Sequence, residues 1–180
     1  MNETASQIPI IGFAARSGTG KTTLLKQIIP MLDAHGVQVA MIKHAHHSFE
    51  IDQPGKDSYE LRKAGAGQML VASDRRWALV TEHKEPSEPR LADLLARIDH
   101  TMADLVLVEG FKAEALPKIE LHRRALGRPL FAGDDPHVVA IATDTPEDVG
   151  AALPVLPLNE PDAVANFVIE RFLGRSHPGR

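Results

Sequence analysis

The 180-residue chain has no cysteine. Disulfides and thiolate metal centres are therefore excluded. Aromatic side chains make up only 4%, with a single tryptophan, Trp77, and a single tyrosine, Tyr59. Both are read as packing anchors rather than platforms for stacking bases. Positive charge is not in excess: 20 Lys and Arg stand against 24 Asp and Glu, for a formal net charge of −4. Non-specific nucleic-acid binding wants a basic face, so no nucleic-acid partner is expected. The apolar run near the start, Ile8 to Ala14, is far too short to cross a bilayer. Met1-Asn2-Glu3-Thr4 carries no basic stretch leading into an apolar one, which argues against a secretory signal. The expectation is a cytoplasmic protein with no membrane partner. There is no internal repeat, no low-complexity tract and no arguable Ser-His-Asp or Cys-His set, so no catalytic residue is named.

Hydrophobic residues reach 43%, enough for the core of one α/β domain. A single domain over residues 1–174 with a fraying tail, 175–180, is expected. Apolar runs at 8–14, 37–42, 104–108 and 137–142 read as buried strands. Weaker strands are expected at 118–121 and, on an edge, at 154–158. Helical patterns cover 22–34, 56–65, 91–98 and 163–173, and Pro30 predicts a kink or early end in the first. Residues 68–72 and 77–81 read as a hairpin around Ser73-Asp74-Arg75-Arg76. Strands alternating with helices indicate a three-layer, mostly parallel sheet flanked by helices. Ligands bind such sheets at the carboxyl ends of the strands, where Ala15, Lys43, Glu109 and Thr143 emerge.

The strongest signal is Ala15-Arg16-Ser17-Gly18-Thr19-Gly20-Lys21-Thr22-Thr23 between the first strand and first helix. Strand, glycine-rich turn, then Gly-Lys-Thr at a helix start is a phosphate-binding loop. Gly18 and Gly20 reach backbone angles that aim N–H groups at phosphate oxygens. The helix N-terminus adds partial positive charge. Ser17, Gly18, Thr19, Gly20, Lys21, Thr22 and Thr23 are the phosphate-binding candidates. Lys21 reaches the β- and γ-phosphates, and the Thr22 hydroxyl suits Mg²⁺. The usual first glycine is replaced by Ala15, which must then sit at negative φ.

Glu109, at the end of the strand 104–108, is the second metal candidate, holding Mg²⁺ or its water beside the loop. Lys43, Asp52 and Asp57 are candidates for the layer behind these groups. Either aspartate would orient a Mg²⁺-bound water, or serve only as turn former or helix cap. Asp144 after the strand 137–142 offers a carboxylate to the N1–H and N2–H₂ edge of guanine; its alternative is an Asx-turn before Pro146. His44, His46 and His47 are either a Zn²⁺ or Ni²⁺ site or a polar loop meeting strand ends and phosphates. Arg16, Arg75 and Arg76 are candidate transition-state cations or plain surface charges.

Several stretches together carry a family resemblance: Ser17 to Leu25, Ile42-Lys43-His44 with His46-His47, Pro54 to Ala66, Val71-Ala72-Ser73 with Arg76-Trp77, and Leu107 to Lys112. They resemble the molybdopterin-guanine dinucleotide biosynthesis protein B (MobB) family. The likeness runs from about Pro9 to the last helix and is densest over 9–112. Residues 123–136 match less closely. The phosphate loop belongs to a vast superfamily, whereas Gly-Lys-Asp-Ser-Tyr-Glu-Leu-Arg-Lys-Ala-Gly is far more specific. The resemblance implies a bacterial, homodimeric, GTP-binding protein with at most weak GTPase activity. It implies an adapter to the guanylyltransferase that joins GMP to molybdopterin, with GTP and Mg²⁺ as cofactors. It leaves direct contact with molybdopterin open. In that reading Lys21 and the loop amides hold the GTP phosphates, and Thr22 with Glu109 serves Mg²⁺. A GTP-dependent metallochaperone for Ni or Zn is the alternative, and a small-molecule kinase is a third reading that lacks a lid-like Arg-rich helix.

Overall fold

The computed structural model describes residues 8–45, 49–150 and 152–175. Along the chain run β1 (Ile10–Ala15), α1 (Lys21–Ala34), β2 (Val39–Lys43), α2 (Asp57–Lys63), β3 (Gln68–Ala72), β4 (Trp77–Thr81), α3 (Leu91–Leu95), β5 (Leu105–Glu109), β6 (Lys118–His122), β7 (Val138–Thr143), β8 (Val155–Pro157) and α4 (Pro161–Leu173). They divide into two compact units: Ala45–Arg90, and the chain before it together with the chain after it.

In the larger unit six strands form one sheet in the order β2-β5-β1-β6-β7-β8. Every neighbouring pair is parallel. A parallel sheet is covered on both faces, so its central strands read as unbroken apolar runs. In β5 the alternation sends Leu105 and Leu107 to one core with Leu24, Ile28 and Leu32 of α1 and Val164 and Val168 of α4. Val106 and Val108 point the other way, to Leu91 of α3, Ile42 and Phe111. Each such buried aliphatic side chain contributes roughly 1.5–3 kcal/mol. This is the three-layer architecture expected.

Several element ends moved, each for a local reason. The first helix does not stop at Pro30; it runs on to Ala34. Pro30 is exposed, while Leu32 two residues on is fully buried, so packing carries the helix past the missing donor. His35 and Gly36 then close it, with Gly36 at φ +70°. Strand β5 starts at Leu105 because Asp104 pairs with Gln38 through both backbone and carboxylate, at 2.7 and 2.8 Å. Helix α4 begins two residues early, at Pro161, whose fixed φ suits a first helical position.

The smaller unit holds α2 and an antiparallel β3–β4 hairpin, with Leu70 opposite Leu79 and Ala72 opposite Trp77. Ser73 closes its turn, its N–H donating to the Arg76 carbonyl at 2.8 Å. Arg62 of α2 is buried and bonds Glu50, Asp52 and Glu82. Tyr59 lies beside the Arg62 and Lys63 cations. The expectation that Trp77 is a packing anchor fails: it is 70% exposed, and its face-mates Leu70 and Leu79 are 62% and 45% exposed. Period-two alternation predicts the hairpin but is silent on whether anything covers its faces.

Candidate nucleotide-binding site

The loop from β1 to α1 has the backbone that its sequence demands. Gly18 and Gly20 take φ of +82° and +95°, the left-handed region that glycine enters without strain. No non-glycine among the described residues has positive φ, so Ala15 sits where expected. Buried Thr19 locks the turn, its hydroxyl donating to the Arg16 carbonyl at 2.8 Å. Gly20 is the N-cap of α1, with no side-chain cap bond and no acid in the first turn. The helix therefore presents uncapped N–H groups and an unneutralised positive end. Ser17 lies exposed on the loop, and Thr22 and Thr23 lie exposed on the first turn of α1.

Across the strand ends, β5 lies between β2 and β1, with Glu109 in register with both Lys43 and Phe13. Its carboxylate is largely buried at 12% exposure and meets two cations: Lys21 Nζ at 3.2 Å and Lys43 Nζ at 3.8 Å. Gly110 then turns at φ +102°, and a Cβ there would come within 2.7 Å of the His44 Cβ. Only glycine lets the two strand ends approach this closely. The His44 ring stacks on Phe111, centroids 5.0 Å apart. His46 and His47 lie outside the described residues.

Further cations border the loop. The Arg16 guanidinium lies over the Phe131 ring at 4.3 Å, and Lys112 Nζ is 5.4 Å from the same ring. Burial, then the nearby Lys21 and Arg16 charges, push Lys112 below the usual lysine range. Phe131 is held from beneath by buried Glu120, which accepts the Phe131 and Ala132 N–H groups at 2.7 and 2.8 Å. Burial pushes the Glu120 carboxyl up, against those backbone donors. Lys118, also buried, pairs with Asp135 at 2.7 Å.

Asp144 emerges after β7 on the same sheet edge. Its Oδ2 accepts from Arg123 Nη1 at 3.3 Å, and its Oδ1 accepts from the Arg124 N–H at 3.1 Å. Asp52 and Asp57 belong to the smaller unit. Asp52 there accepts from Ser58 Oγ at 3.4 Å and from Arg62, and Asp57 opens α2. The structure thus gathers Lys21, Lys43 and Glu109 at one point and, within the smaller unit, engages Asp52 with Ser58 and Arg62. Sequence reasoning missed Arg123, Glu120 and Lys112. The Glu-Gly-Phe-Lys run held a signal for Lys112; nothing local marked Arg123 or Glu120.

A loop of uncapped amides, a lysine and a carboxylate at the sheet's carboxyl edge can take a polyphosphate with a hard divalent cation. Residues 10–144 match the family model described as molybdopterin guanine dinucleotide synthesis protein B. The chain is 51% identical to a molybdopterin-guanine dinucleotide biosynthesis adapter protein of Escherichia coli K12, covering 92% of this chain and 94% of that one. It is 43% identical to the Haemophilus influenzae adapter of the same description, covering 97% and 95%. In fold it is similar to the crystal structure of Bacillus subtilis MobB, at a TM-score of 0.71 and 24% identity, covering 93% of this chain and 99% of that one.

Proposed function

The chain belongs to the molybdopterin guanine dinucleotide synthesis protein B family, and we propose that it is a GTP-binding adapter that assists attachment of GMP to molybdopterin. The observation that carries the nucleotide half is the Lys21–Glu109 contact of 3.2 Å at the mouth of the Gly18/Gly20 loop. The relatives' descriptions as adapter proteins carry the other half. They favour it over delivery of Ni or Zn.

Bound GTP meets the loop amides from Ser17 to Thr23 and the Lys21 ammonium. Thr22 and Glu109 are the residues to hold Mg²⁺, and they fit it: a hydroxyl and a carboxylate are hard oxygen donors. When bound, Mg²⁺ neutralises charge on the β- and γ-phosphates. Binding releases Lys21 from Glu109 and transfers it to phosphate. Asp144 reads the guanine edge with the lone pairs that Arg123 and Arg124 leave free. Any GTPase turnover is slow, and the nucleotide state signals to the guanylyltransferase partner. The site serves a cytoplasmic protein; among the described residues no helix is long and apolar enough to cross a membrane.

The adapter works as a homodimer. Leu70, Trp77 and Leu79 share one hairpin face and all are exposed. Large side chains gathered this way mark an interaction surface, and a second copy supplies the same apolar face in return.

Calorimetric titration with GTP and with ATP, each with Mg²⁺, tests the reading. Preferential binding of GTP is expected, followed by nucleotide-dependent co-purification with the GMP-transferring enzyme. Preference for ATP, or binding of neither, overturns it.

A further inference from the structure

We infer that Arg123 is a specificity-positioning residue, holding the Asp144 carboxylate in fixed relation to the phosphate loop. The inference rests on the guanine-nucleotide reading above. Arg123 follows β6 and reaches three other strand ends at once. Its Nε donates to the Thr19 carbonyl in the loop after β1, at 2.9 Å. Its Nη1 donates to Asp144 Oδ2 after β7, at 3.3 Å. Its Nη2 donates to Asn159 Oδ1 after β8, at 3.1 Å. The guanidinium also packs on the loop itself, since a Cβ at Gly20 would lie 3.7 Å from Nη2.

The chemistry of the fork gives this meaning. A guanidinium is planar, and its donors leave at fixed angles, so acceptors bound to different nitrogens are fixed relative to each other. Here the Thr19 carbonyl belongs to the phosphate site and the Asp144 carboxylate to the base site. Arg123 sets the distance between what grips phosphate and what reads the base.

The bonds on Asp144 also sort its lone pairs. Arg123 occupies Oδ2, and the Arg124 N–H occupies Oδ1. A carboxylate has about four acceptor positions, so each oxygen keeps one. Two adjacent acceptors suit the N1–H and N2–H₂ edge of guanine. At the corresponding positions adenine offers the N1 lone pair and an apolar C2–H, so neither oxygen gains a donor and the N1 lone pair meets a negative one. With Arg123 gone, no other hydrogen bond among the described residues holds Oδ2 and fixes the carboxylate's rotation. Lysine keeps the charge but is a point donor on a flexible stem and cannot span three acceptors. Arg123 acts through Asp144 and the loop.

The test is a calorimetric titration with GTP and ATP of the wild type, Arg123→Lys, Arg123→Gln, Asp144→Asn and the Arg123→Lys/Asp144→Asn double variant. Arg123→Lys is expected to weaken GTP about tenfold or more and ATP less than about threefold, from loss of charge-assisted bonds to the base-reading side. In the Asp144→Asn background, adding Arg123→Lys is expected to leave the GTP-to-ATP ratio unchanged, because the residue it acts through is already gone. Should Arg123→Gln not fold, the lysine variant decides alone. Equal fold-losses for GTP and ATP make Arg123 only a strut of the loop and overturn the proposal. A further fall in discrimination in the double variant overturns action through Asp144. A wild type without GTP preference, or an Asp144→Asn variant that keeps it, overturns the guanine reading itself. That outcome is distinct from a discriminating wild type whose preference survives Arg123→Lys.

Discussion

Lys21 at the start of α1 and Glu109 at the end of β5 face each other at 3.2 Å, with Lys43 adding a second cation to the same carboxylate at 3.8 Å. The pairing keeps an ammonium at the phosphate site and supplies the carboxylate with a countercharge. Lys21→Ala removes the side chain aimed at the β- and γ-phosphates. GTP affinity is expected to fall about a hundredfold, the scale of a desolvated charge-assisted contact. Lys21 is only partly buried and its helix is held by Leu24, Leu25, Ile28 and Leu32, so the thermal midpoint should barely move. Unchanged affinity in a titration would remove the phosphate-loop assignment.

Glu109→Gln separates metal binding from phosphate binding. With Mg²⁺ present, GTP affinity is expected to drop about tenfold, since a neutral amide is a poor ligand for a hard cation. With EDTA the variant should bind at least as well as the wild type, because Lys21 no longer has to leave a carboxylate. Equal losses with and without the metal would make Glu109 a purely structural strand end.

Trp77→Ser probes the exposed hairpin. At 70% exposure Trp77 contributes little to its own chain's packing, and stability should change by less than about 0.5 kcal/mol. If the hairpin face joins two copies, an exposed tryptophan on it is a typical anchor, and the dimer dissociation constant should rise about tenfold or more. Sedimentation equilibrium reads this directly. An unaltered dimer would move the interface elsewhere.

What was legible in the sequence was what depends on nearby residues. The phosphate loop lies within nine consecutive positions, and its glycine angles, helix start and lysine follow from local backbone physics. Glu109 was legible because a carboxylate closing an apolar run must emerge at the sheet's carboxyl edge. Arg123 was not, because its acceptors lie far along the chain, the Thr19 carbonyl 104 positions away and Asp144 21 away. Only the strand order, with β6 beside β1, brings them together. Glu120 was hidden for a related reason: an acid in a short strand reads as surface, and its partners, the Phe131 and Ala132 N–H groups, carry no side-chain signature. Trp77 was misjudged because hydrophobicity predicts burial without saying whether its own chain provides it.

The Lys118–Asp135 pair yields a pH-dependent prediction. Lys118 is 2% exposed and bonds Asp135 at 2.7 Å. Burial pushes the Asp135 carboxyl up, but Lys118 and the His137 N–H and ring outweigh it, and its pKa lies below the ordinary 3.8. The folded state therefore favours the ionised carboxylate. The stability from this group is complete above the unfolded value and is lost as pH falls through the lower folded one. Asp135→Asn leaves the Lys118 ammonium buried without its counter-ion, which should cost about 2–3 kcal/mol at pH 7. Urea unfolding of the two proteins should show that gap constant between about pH 5 and 8 and closing below about pH 4. A gap that persists undiminished below pH 3 would mean that Asp135 acts by shape and hydrogen bonding to His137, and that its charge on Lys118 contributes nothing.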